Sequence, residues 1–335
     1  MQKKGMKYIY VLGYGWSGSS AVIDMLKEIN GIVVPNLEFR LIKERYGLMN
    51  LESMVTTQWD PIETDIAIKD FWWLCKKLNE EISKFYIHFG HCYSKTIGKH
   101  FLPITKEYID KITKYKFAST WHFFYWRINA FKRMYYRIRV KFGLNDYAES
   151  MYYTSPMSSK EFEDITKDYI DRLFIPLMSE KDDYLVLDQG VPAHFPEYAF
   201  KYSNSAKVII VDRDPRDVYV DLVKCKELIG AELAVKDDPS MFIEWYKSLH
   251  FRKSELVESN NDILFLNFEE LIQNYEKCTN KIYEYLKISK DRHVNKRQLF
   301  IPEISKRNIG IWKQYNNQDA MDIIKKELGE YCYED

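Results

Sequence analysis

The sequence predicts an α/β fold: a parallel β-sheet flanked by helices, with a large helical insertion between the first strands and the later ones. Three observations carry this. Short apolar runs at residues 8–12, 32–34, 184–187, 207–211 and 263–266 are bounded by turn residues, as buried strands are. Most are followed by stretches of helical spacing, and strands that alternate with helices build a parallel sheet covered on both faces. Between residues 60 and 116 the apolar positions Ile66, Phe71, Leu74 and Leu78 recur at helical intervals, so this interval is an insertion and not more sheet.

The first strand, residues 8–12, runs into Gly13-Tyr14-Gly15-Trp16-Ser17-Gly18-Ser19-Ser20 and then into the periodic stretch 21–26. Strand, glycine-rich loop and helix in that order make a P-loop-like phosphate cradle. Glycines allow φ > 0 and close approach, and the amides at the helix start point at an anion. Residues 32–34 form a short strand stopped by Pro35, which leaves Glu38 at a strand's carboxyl edge, where ligands bind in open α/β sheets.

The insertion holds His88-Phe-Gly-His91-Cys92, which lacks any further His or Cys at ligand spacing; no metal is expected. Residues 121–142 carry six Lys/Arg and no acid. Ile128, Phe131, Tyr135, Ile138 and Phe142 fall on one helical face, with Arg127, Lys132, Arg133, Arg137, Arg139 and Lys141 around the remainder. This suits an anionic membrane surface or an acidic polymer; the alternative is a helix packed on the domain by its aromatic face. Ser158 followed by Glu161 marks a capped helix start. The strand at 184–187 ends in Asp188-Gln189-Gly190, and the strand at 207–211 runs into Asp212-Arg213-Asp214-Pro215-Arg216-Asp217 and a helix through Ile229, with Pro215 in its first turn.

Composition bounds the rest. With 335 residues, 46% of them hydrophobic, the chain can bury a core as one domain, 1–335, with 50–180 as its mostly helical, substrate- or membrane-facing insertion. Zero formal net charge gives no global field toward nucleic acid, which is not an expected partner. Five scattered cysteines without a CxxC pair fit a reducing compartment. The apolar run after Met1-Gln-Lys-Lys spans only about six residues and reads as a strand, not a signal peptide. The expectation is a cytoplasmic protein, with 121–142 as a peripheral seat at the inner membrane face.

Three kinds of phosphate loop compete. A nucleoside-triphosphate loop needs Lys where Ser19 stands. The dinucleotide fingerprint is matched by Gly13, Gly15 and Gly18, with Glu38 at the place of a ribose-binding acid, so an NAD-type oxidoreductase stays open. The third accounts for a second junction as well. Strand–Gly-x-x-x-Ser-Gly-Ser-Ser–helix followed by strand–Val-x-Arg-Asp-Pro-Arg-Asp–helix resembles the sulfotransferases that use 3′-phosphoadenosine 5′-phosphosulfate (PAPS). Lys306-Arg307-Asn308-Ile309-Gly310-Ile311-Trp312-Lys313 is similar to the family's late basic Gly-Trp-Lys segment.

That resemblance implies a sulfuryl transfer with PAPS as co-substrate. Gly13, Gly15, Trp16, Ser17, Gly18, Ser19 and Ser20 would hold the 5′-phosphosulfate, and Arg213 the 3′-phosphate as a bidentate fork. Asp221, Lys306, Arg307 and Lys313 complete the implied nucleotide site. The pattern is closest to the carbohydrate branch, the heparan sulfate 3-O-sulfotransferases. Their catalytic Glu follows the first loop at nearly the spacing of Glu38, and their strand-end segment resembles Gly190-Val191-Pro192-Ala193-His194-Phe195. This implies a polysaccharide or glycolipid acceptor, with Glu38 the first choice of general base and Asp188 and His194 the second and third. Two positions depart from the pattern. Trp16 stands where relatives carry a cation, and Asp221 where they carry Ser eight residues after the Arg. These departures leave open a non-catalytic module with the same fold.

Overall fold

A computed structural model describes residues 5–81, 90–119, 121, 124–144, 149–224, 238–259 and 262–333. In chain order the elements begin with β1 (Tyr8–Gly13), α1 (Ser20–Lys27) and β2 (Ile32–Val33). Helices α2 (Leu48–Val55), α3 (Pro61–Asn79), α4 (Tyr93–Thr96) and α5 (Phe101–Ile112) follow, then β3 (Tyr115–Ser119), α6 (Phe124–Arg127), α7 (Ala130–Lys141), β4 (Glu149–Tyr153) and α8 (Ser159–Phe174). The chain continues through β5 (Tyr184–Asp188), α9 (Glu197–Lys201), β6 (Ala206–Asp212), α10 (Pro215–Lys224), α11 (Ser240–His250) and α12 (Lys253–Ser259). It closes with β7 (Ile263–Asn267), α13 (Phe268–Gln273), α14 (Tyr275–Leu286), α15 (Pro302–Ser305) and α16 (Gln318–Leu328). Two compact units result, Met1–Arg40 with Phe174–Asp335, and Leu41–Leu173.

The first unit is built on a five-stranded sheet of order β2-β5-β1-β6-β7, parallel throughout. Its strands are apolar on both faces because helices cover both: Tyr8 to Leu12, Leu185 to Leu187 and Val208 to Val211 are all buried. One core layer packs Val22, Met25 and Leu26 of α1 with Cys278, Ile282 and Leu286 of α14 against Ile9, Val11, Ile209 and Val211. The chain fills one side of β1 with β2 and β5, then crosses to β6 and β7 on the other. The loop after β1 therefore lies at the point where strand order reverses. Register sets Val11 opposite Asp188 and Gly13 opposite Val211, so the loops after β1, β5 and β6 emerge side by side.

The second unit is mainly helical. On α3 the predicted Phe71, Leu74 and Leu78 are buried, with Ile68 and Cys75 beside them, whereas the predicted Ile66 is only half-buried. Asp60 caps this helix by accepting from the amides of Ile62 and Glu63, and Pro61 occupies its first position. Tyr108 stacks on Tyr169 with centroids 4.3 Å apart, and their hydroxyls are satisfied by Thr166 and Thr105. The expected Ser158 cap is present, accepting from the amide of Glu161 at 3.2 Å. Helical spacing alone missed the antiparallel pair β3–β4, which begins at Tyr115 within the stretch read as helical; β3 is mostly exposed, so it carries little apolar signal.

The stretch 121–142 is two helices, α6 and α7, with Asn129 capping the second by accepting from the Lys132 amide. Ile128 lies between them and is not helical. Packing of α7 by its aromatic face is corrected by the structure: none of its residues is buried. His88 of the His88–Cys92 stretch, and the end of the predicted helix between residue 225 and Ile229, lie outside the described residues. Among the described residues no group of His, Cys, Asp and Glu can hold a metal ion, and no helix is long and apolar enough to cross a membrane.

Candidate active site

The loop after β1 is held in a shape few sequences adopt. Gly15, Trp16 and Gly18 take φ of 92°, 50° and 78°. A Cβ on Gly18 would sit 2.3 Å from the Phe268 ring, so only glycine fits there. The helix that follows begins with Ala21 and Val22 donating to the carbonyls of Gly18 and Ser19. The backbone amides of residues 15–19 have no acceptor among the described residues. Successive unpartnered amides opening onto a helix N-terminus form a cradle for an anion. Ser17 is buried, whereas Ser20 is exposed at the rim. From β5, Gln189 takes a left-handed φ of 52° and donates to Ser19 Oγ at 3.0 Å, tying the two loops together.

Arg213 leaves the end of β6 and is only 5% exposed. Its Nη1 donates to the Trp16 carbonyl at 3.2 Å and to Asp221 Oδ2 at 2.6 Å; its Nη2 donates to the Asn308 carbonyl at 2.7 Å. The guanidinium lies 5.2 Å from the Phe268 ring centroid, and its Nε is buried without a partner. Sequence reasoning assigned Arg213 to an anion, and the chain's own Asp221 already takes one side of its fork. Trp16 contributes a carbonyl and an aromatic wall, with its ring edge-on to Trp245 at 6.5 Å.

A cleft of about 370 Å³ opens between the loop and the late segment, lined among others by Trp16, Gly18, Arg213, Phe268, Phe300 and Asn308. Asp217 clasps that late segment, accepting from the amides of Gly310 at 2.7 Å and Trp312 at 3.0 Å. Burial pushes the Asp217 carboxyl up, and these two amides oppose the shift. Arg216 pairs with Asp214 and lies over the Trp312 ring at 3.9 Å. Lys306 and Arg307 are exposed and have no ion-pair partner among the described residues; Lys313 is exposed on the same segment.

Glu38 and Asp188 stand together at the carboxyl edge, joined by a parallel bridge in which the Phe39 amide donates to the Asp188 carbonyl at 2.8 Å. The Glu38 carboxylate is partly exposed and pairs with Arg40 at 2.7 Å. His194 sits farther along the loop after β5, with its ring edge-on to Phe195 and its carbonyl accepting from Arg252.

Two features escaped sequence reasoning. Behind the loop, Asp212 accepts from Tyr246, His250 and Lys253, and the His250 ring packs on Tyr14 at 3.8 Å. Burial works against the Asp212 charge, yet His250 and Lys253 hold the carboxyl well below the usual range. A lone His in a helical stretch gives no sign of this. The second is Glu269, beside the motif that sequence did single out: it accepts from the Asp214 amide at 2.9 Å, and burial, with Asp214 and Asp217 nearby, raises its pKa to about 7.

Residues 185–308 match the sulfotransferase domain family. Sulfotransferase 2B1 of mouse is 29% identical over 119 residues, which are 30% of this chain and 34% of that protein, so the chain spans about a third of this curated relative. Among solved structures, the sulfotransferase domain of the Synechococcus PCC 7002 olefin synthase is similar at 12% identity, with a TM-score of 0.45 over 99% of this chain and 95% of that one. Sulfotransferase STF9 from Mycobacterium avium is similar at 12% identity, with a TM-score of 0.42 over 99% and 78%. The match to the sulfotransferase domain family thus runs from β5 through Arg213 to the basic segment at Lys306 and Arg307.

Proposed function

We propose that the protein transfers a sulfuryl group from PAPS to a hydroxyl of a carbohydrate, as a polysaccharide or a glycolipid. The observation that carries the reading is the run of unpartnered amides at residues 15–19, set beside the buried Arg213 in one cleft. The donor supplies an activated sulfur. Loop amides, with the hydroxyls of Ser17, Ser19 and Ser20, stabilise charge on the sulfuryl and leaving oxygens, and Lys306, Arg307 and Lys313 add positive charge where Trp16 supplies none. Glu38 takes the proton of the acceptor hydroxyl as its oxygen bonds to sulfur and the bond from sulfur to the phosphate breaks, with Asp188 and His194 the next choices. The carbohydrate acceptor rests on the similarity of Glu38 and Gly190–Phe195 to the glycan-directed branch.

The pairing of Arg213 with Asp221 favours a second reading, a sulfotransferase-like module that binds a nucleotide or glycan without turnover. Calorimetry with adenosine 3′,5′-bisphosphate and a radiolabelled transfer assay on a carbohydrate panel separate the two. The enzyme reading expects binding and turnover, with Glu38→Gln keeping the first and losing at least about a hundredfold of the second. Absence of nucleotide binding by the folded protein sinks the enzyme reading, and absence of binding to the carbohydrate panel as well sinks both.

A further inference from the structure

Helix α7 is twelve residues long and buries none of them. Helices of this length are marginal in water and draw their stability from packing an amphipathic face. Here that face has nothing beneath it: Phe131 is 81% exposed and Phe142, which ends the helix, 74%, with Met134, Tyr135 and Ile138 exposed between them. At about 100° per residue these five side chains share one arc of roughly 100°. Arg139 and Lys132 border one edge of that arc; Lys141 and Arg137 border the other. No acid occurs between residues 121 and 144. An apolar stripe edged by cations on both sides matches the boundary between acyl chains and anionic headgroups, where Lys and Arg stems reach outward from a buried stripe.

We propose that Ala130–Lys141 is an interfacial helix that seats the protein on an anionic lipid surface. This surface goes beyond the transfer reaction and does not depend on it. The pattern disfavours a second copy, because pairing α7 with itself brings cations against cations with no acid to offset them. An acidic polymer would satisfy the cations and leave Phe131, Met134, Ile138 and Phe142 in water.

The test is co-sedimentation of the full chain with phosphatidylcholine vesicles, with and without phosphatidylserine. Binding is expected only with phosphatidylserine, falling about tenfold as salt screens it. Both Arg137→Glu/Arg139→Glu and Phe131→Ser/Phe142→Ser should lose it while circular dichroism shows unchanged helix content and melting. Equal binding to both vesicles, or binding to neither, overturns the proposal. So does retention of binding by the Phe double variant, which would mark a purely electrostatic polyanion site. Self-association in the ultracentrifuge that this variant abolishes would instead assign the face to a second copy.

Discussion

Arg213, just before α10, and Asp221 within it form an ion pair, Nη1 to Oδ2 at 2.6 Å, with the Arg 5% and the Asp 31% exposed. The buried guanidinium is thus neutralised by the chain itself at the end of the cleft where the proposed donor would present its second phosphate. A carboxylate there repels a phosphate, and Ser at the same place would donate to one. Asp221→Ser is expected to tighten binding of adenosine 3′,5′-bisphosphate about tenfold in calorimetry. It should leave the affinity for adenosine 5′-phosphate, which lacks the second phosphate, nearly unchanged. Equal change for both ligands would mean that Arg213 does not face the 3′ end.

Much of this arrangement was legible in the sequence, and the reason is physical. Residues 13–20 and 212–217 are constrained by backbone geometry, through Gly15, Gly18 and Pro215, and such constraints leave fixed residue types at fixed places. The parallel sheet was equally plain, because strands buried on both faces read as apolar runs. What stayed hidden depends on contacts between distant segments. His250 on Tyr14, Glu269 on Asp214 and Asp217 on Gly310 join positions whose spacing carries no signal. The β3–β4 pair was missed for the opposite reason: β3 is mostly exposed and too short to outweigh the helical spacing before it.

Glu269 gives a stability prediction with a definite sign. Burial raises its carboxyl from 4.5 to about 7, so between those values the folded protein holds a proton that the unfolded chain has released. The stability linked to this group is present below about pH 4.5 and lost as pH rises through about 7. Glu269→Gln keeps an acceptor for the Asp214 amide and removes the titrating group from beside Asp214 and Asp217. The variant should match the parent at pH 4.5 and exceed it at pH 8 by about 3 kcal/mol in urea unfolding. A gap that is constant with pH would show that Glu269 stays ionised.

The glycine loop itself is tested by Gly18→Ala. Two costs fall on that one methyl: a φ of 78°, and a Cβ 2.3 Å from a ring carbon of Phe268. The first costs about 1 kcal/mol. The second forces the Phe268 ring away, and Arg213 lies over that ring, so the fork shifts with it. Gly143 separates the two effects: its φ is 71°, and a Cβ there meets nothing within 4 Å. Gly143→Ala should lower stability by about 1 kcal/mol and leave nucleotide affinity alone. Gly18→Ala should lower stability by about 2–3 kcal/mol and weaken adenosine 3′,5′-bisphosphate at least about a hundredfold, because the amides of residues 15–19 are no longer aimed at one point. If the two variants bind equally well, the anion sits elsewhere, and the unpartnered amides of the loop are a feature of its turn rather than a cradle.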